Sequence, residues 1–149
     1  MSSIYDKTDN AKMIARINSL TPESKAHWGK MNAAQMCKHC TMASDVAFGK
    51  MNLKLNFAMR LLGKLLKQKV FYGGEMGKNS PTAKEFIVTN NEELEKTKAE
   101  LIANFSRFAI EGKSSIKVMN HPFWGKMTYE DWDALMWKHT DHHLKQFGV

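Results

Sequence analysis

The stretch TYEDWDALMWKHTDHHLKQFG, Thr128 to Gly148, decides the fold. Thr128 with Asp131 three residues on reads as a helix cap, and Gly148 as the stop beyond the helix end. Between them Trp132, Leu135 and Met136 recur at helical spacing. At about 100° per residue, His139 and His143 lie about 40° apart on that same side. The apolar stripe of the last helix therefore runs on into two imidazoles, and both should face the interior. His142 lies about 60° from His139 in the opposite sense, toward the edge of the stripe.

Upstream, the same periodicity marks four more helices. The first runs from about Asp9 to Leu20 and ends at Thr21-Pro22. Asn32 with Gln35 reads as a capping box opening a helix to about Phe48. A third spans about Leu53 to Phe71. Asn90 with Glu93 reads as another capping box, opening a helix to about Ile110 that Gly112 closes. No strand is expected. Five helices, four of them long, imply an all-α antiparallel bundle.

The chain has 149 residues, which fits one domain over 1–149, and its 43% apolar content excludes a disordered chain. The net charge of +7 permits nucleic acid, anionic lipid or acidic small molecules as partners. Lysines on solvated helix faces explain it more simply, and nucleic acid is not the expected partner. The segment MSSIYDKTDN has no apolar h-region, so a cytoplasmic protein is expected. Cys37 and Cys40 read as buried thiols rather than a disulfide.

The basic stretch LKLNFAMRLLGKLLKQK raises the case of a helix lying on a membrane. Its leucines at 61, 62, 65 and 66 are expected to fill the bundle core, so its lysines are read as solvated and no membrane partner is expected. The connection from Tyr72 to Val88 is long and rich in Gly, Asn and Ser. Its GGEMGKNS is not a P-loop, because the glycine spacing is one residue short and Asn79 stands where Ser or Thr is needed. Two readings stay open for this connection. It is a crossover pinned by Pro81, or a cover for a site in which Glu75 or Lys78 meets a substrate.

An i, i+4 histidine pair can chelate one metal ion. No Glu follows His139, and His142 stands where an inverted zincin motif needs Glu, so neither zincin motif is present and the peptidase reading is weak. A third ligand can come from the second helix. There His39 lies on an inward side with Met36, Ala43 and Val46. On spacing alone, these histidines can equally be hydrogen-bonded core residues.

The motifs HWGKMNAAQMCKHC (His27 to Cys40) and HPFWGKMTYEDWDALMWKHTDHHLKQFG (His121 to Gly148) resemble the DinB-like superfamily of YfiT-type metalloproteins. They are most similar to a bacterial branch known as a domain of unknown function. That branch shows a similar NSPT-x2-EF segment, here Asn79 to Phe86. The resemblance covers most of the chain, from about Ala26 onward. It implies a four-helix bundle of up-down-down-up topology with short additional helical segments. It also implies a divalent metal, Zn or Ni, on His39, His139 and His143. His142 belongs to the branch rather than to the superfamily triad. The superfamily contains thiol-dependent transferases, an isomerase and hydrolases. The expected function is a metal-dependent enzyme acting on a small-molecule substrate, either a hydrolase or a thiol transferase. A non-catalytic binding bundle is the alternative, and a homodimer is an open state.

Gln35 reads as part of the cap or as a group orienting a ligand. His121-Pro122 and His27-Trp28 read as structural anchors, and Trp132 and Trp137 as packing residues. General-base help would come from His142, a metal-bound hydroxide or Glu75.

Overall fold

A computed structural model describes residues 2–80 and 82–149. The expected role of Pro81 therefore lies outside the described residues. The described chain is mostly helical. Its helices are α1 (Lys7–Asn18), α2 (Ala33–Ala47), α3 (Phe57–Tyr72), α4 (Leu94–Glu111) and α5 (Tyr129–Gln146). Short 3-10 turns cover Lys84–Phe86 and Gly112–Ser115. Between α4 and α5 a small antiparallel ladder joins β1 (Asn120–His121) to β2 (Gly125–Lys126), where no strand was expected. Among the described residues no helix is long and apolar enough to cross a membrane.

Local chemistry sets the helix ends. The side chain of Asp6 accepts from Asp9 N–H and starts α1 two residues before the pattern suggests. The capping boxes Asn32/Gln35 and Thr128/Asp131 both form, each with its two reciprocal bonds. The box expected at Asn90/Glu93 does not. Helix α4 starts one turn later, at Leu94, without a side-chain cap. The Asn90 carbonyl instead accepts from Gln35 Nε2, which ties the approach to α4 onto the cap of α2. Asn56, not a residue near Leu53, caps α3 by accepting from Met59 N–H.

Helix α2 lies between α4 and α5, while α1 packs on α4 and α5. The position of α2 explains why small and apolar residues surround it, from Ala33 and Met36 to Val46 and Ala47. On α4, Leu101, Phe105 and Phe108 make the inward stripe. Lys98 from the same helix donates to the Asn18 and Leu20 carbonyls and so closes the C-terminal end of α1.

Helix α3 departs most from expectation. It packs on α5 and on the hairpin, and it buries Gly63 and Phe71. Leu61, Leu62, Leu65 and Leu66 do not enter the core but stand in solvent. The hairpin fixes this orientation. A Cβ on Gly63 would collide with the Phe123 carbonyl, so only glycine lets the two backbones approach this closely. Asp131 at the start of α5 then holds α3 by accepting from Lys67 Nζ at 2.6 Å and from the Tyr72 hydroxyl at 2.7 Å.

Candidate metal centre

Helix α2 carries His39 at mid-length, and α5 carries His139 and His143 on successive turns of its inward stripe. Packing of α2 on α5 brings the three together. The Nε2 atoms of His39 and His139 are 3.0 Å apart. The ring centroids form a near-equilateral triangle, with sides of 4.9 Å (His39–His139), 4.8 Å (His39–His143) and 4.7 Å (His139–His143). One nitrogen from each ring lies within 4.8 Å of the others, so the group could hold a metal ion.

Partners on the far side of two rings decide which nitrogen points inward. A carbonyl oxygen can only accept. Nδ1–H of His39 therefore donates to the Phe86 carbonyl at 3.0 Å, and its Nε2 keeps a lone pair. Nδ1–H of His143 donates to Gln146 Oε1 at 2.9 Å. The Gln146 amide cannot turn over, because its Nε2 donates to the Trp28 carbonyl. Metal-binding histidines are commonly oriented by such second contacts. His139 has none: its Nδ1 is buried and has no hydrogen-bond partner among the described residues. Two imidazole nitrogens 3.0 Å apart share either a proton or an ion.

His39 is buried, while His139 and His143 are half-buried with open sides on a cavity. Burial, with the neighbouring rings adding to it, holds His139 well below the usual imidazole range. Burial and then His39 push His143 down to about 3. Burial also lowers His39, against the opposing pull of the Phe86 carbonyl. All three rings are therefore neutral at pH 7, the form that ligates a metal. The donor set fits a divalent ion that prefers nitrogen.

The cavity beside them measures about 780 Å³. Its walls include Leu53, Leu55, Phe86, Trp124, Leu135 and Met136, and no aspartate or glutamate among the described residues lines it. Much of the Tyr72 to Val88 connection lies here. Met76, Gly77, Asn79 and Ser80 line the cavity, and the Phe86 carbonyl reaches His39. Glu75 and Lys78 do not line it. Glu75 pairs with Lys145 on the surface, and Lys78 lies 4.4 Å above the Trp28 ring.

His142 stands outside the three-histidine group, with its ring 5.6 Å from Trp28 and partly exposed. Burial lowers its pKa, and Asp141 opposes the shift. Gln35 is committed to the α2 cap and to the Asn90 carbonyl. The Cys37 thiol is pushed up to about 12 and that of Cys40 well above its ordinary value, both by burial, so neither offers a thiolate. His121 is structural, as its motif suggests. Its Nδ1 accepts from the Phe123 and Trp124 N–H groups and shapes the hairpin turn. His27 N–H donates to the Gln146 carbonyl at 2.7 Å, which anchors that loop to the end of α5. Sequence reasoning missed the Phe86 carbonyl, Trp28 as the support of Gln146, and Gln146 itself. Only Gln146 left a signal, standing three residues after His143 on one helix face.

Residues 4–148 match the family model described as "Protein of unknown function (DUF1569)". No curated protein and no solved structure matches the chain.

Proposed function

We propose, from the premise that this chain belongs to the DUF1569 family, that it is a metal-dependent enzyme acting on a small molecule at a three-histidine centre. The observation that carries this reading is the paired orientation of His39 and His143. Each has its Nδ1 tied to an oxygen, which turns its Nε2 toward the other ligands on the wall of an apolar cavity. His39, His139 and His143 would hold one divalent ion, zinc or nickel by the nitrogen donor set. When bound, such an ion acidifies a coordinated water or thiol and polarises a carbonyl, which suits a hydrolase or a thiol transferase.

The protein's own groups supply the rest. Phe86 and Gln146 keep two rings from rotating. The mostly apolar cavity walls would give a bound substrate a non-polar surface to lie against. His142, half-exposed beside His143, is the titratable group free to accept a proton. A DinB-like bundle of up-down-down-up topology is the architecture we assign, with α1, α2, α4 and α5 as its four helices and α3 as an addition. The absence of a carboxylate in the described cavity lining favours a second reading, a non-catalytic metal or small-molecule binding bundle.

Calorimetry with Zn²⁺ and Ni²⁺ on single variants tests the ligand set. His143→Ala should lose most of the affinity, while His142→Ala should keep it. Equal losses would make His142 a ligand and the assignment wrong.

A further inference from the structure

Helix α3 leaves one whole face without a partner. At about 100° per residue, Phe57, Leu61, Leu65, Leu62 and Leu66 fall within about half of the helix circumference. Phe57 is 81% exposed, Leu65 72%, Leu61 49% and Leu62 45%. This face cannot roll inward. The opposite side is held by Gly63 against Phe123, by buried Phe71, and by Lys67 on Asp131, and the Tyr72 hydroxyl at the helix end also donates to Asp131. Lys138 fixes the C-terminal end by donating to the Gly73 and Gly74 carbonyls.

Charge says what covers the face. Helix α3 carries Arg60, Lys64, Lys67 and Lys69 and no acidic residue. Lys67 is spent on Asp131, whereas Arg60, Lys64 and Lys69 make no ion pair among the described residues. Arg60 and Lys64 border the apolar face on one side, and Lys69 sits within it one turn beyond Leu65. Long basic side chains of this kind lay their stems along apolar surface and carry the charge outward. A second copy docking by the same face would set one acid-free basic ridge against another.

We propose that this face docks on a bilayer surface bearing anionic headgroups. Helix α3 would lie in the interface plane, with its leucines among the acyl chains and Arg60, Lys64 and Lys69 at phosphate level. At 16 residues it is about 24 Å long and amphipathic, so it lies on a bilayer rather than spanning it. Met59, from the packed side of α3, lines the cavity, so the docked helix is also a wall of that cavity.

Co-sedimentation of the full chain with two kinds of vesicle tests this. One is phosphatidylcholine alone, and the other is phosphatidylcholine mixed with phosphatidylglycerol. The chain should bind the anionic vesicles, and raised salt should weaken binding. Each basic side chain near such a surface contributes about fivefold, so Arg60→Gln with Lys64→Gln should weaken binding roughly 25-fold. Leu61→Glu with Leu65→Glu should abolish binding while helix content and metal affinity persist, since both sites are exposed. No binding by the unaltered chain, equal binding to neutral vesicles, or full binding by the leucine variant would each overturn the proposal. So would a dimer in sedimentation velocity that the leucine variant dissolves.

Discussion

Gln146 is a small device with a large reach. It accepts from His143 Nδ1 and donates to the Trp28 carbonyl, so one amide sets a ligand's tautomer and closes the loop before α2 onto α5. Residues that orient metal ligands in this way typically contribute 10- to 100-fold in affinity. Gln146→Ala should therefore weaken metal binding by roughly that factor. Gln146→Glu, which keeps the acceptor toward His143, should recover part of it. Calorimetry on both variants checks this, and a thermal melt of the metal-free forms separates lost loop packing from lost orientation. At this scale the sequence was legible for the inward histidines and nearly silent for the groups that orient them. Periodicity places His39, His139 and His143 on inward helix faces, and the resemblance, not the spacing, singles them out as a set. The Phe86 carbonyl belongs to the backbone of a 3-10 turn, and no side-chain pattern marks it.

At the scale of the element, capping chemistry was readable where it is local. Asn32/Gln35 and Thr128/Asp131 carry both halves of the box within four residues, and both form. Asn90/Glu93 carries the same pattern, yet the Gln35 amide claims the Asn90 carbonyl and α4 begins later. The leucines of α3 misled for a related reason. An amphipathic stripe reveals that a face is apolar but not that the fold will cover it. Gly63 and Phe71 decide the matter, because they fit under the hairpin and turn the leucines outward. Phe71→Ala should accordingly cost about 3–5 kcal/mol in urea unfolding, as for other buried aromatics. Leu65→Ala, at an exposed site, should change stability by no more than about 0.5 kcal/mol. A comparable loss at Leu65 would put that side chain back in the core.

For the whole molecule, helices from distant parts of the chain meet at one point. His39 and His139 are separated by 100 residues, and packing of α2 on α5 leaves their Nε2 atoms 3.0 Å apart. Desolvation holds the three rings neutral, and the same packing places them on the wall of a cavity of about 780 Å³. A predominantly helical chain with inward histidines was legible from periodicity. The small ladder was not, because two-residue strands carry no alternation to read. The measurement that bears most directly on the central claim is elemental analysis of the chain purified at pH 7 without an affinity tag, followed by chelator stripping and titration with Zn²⁺ and Ni²⁺. The expected result is about one divalent ion per chain, removed by the chelator and restored by titration. A chain that carries no metal as purified and takes up neither ion would contradict it.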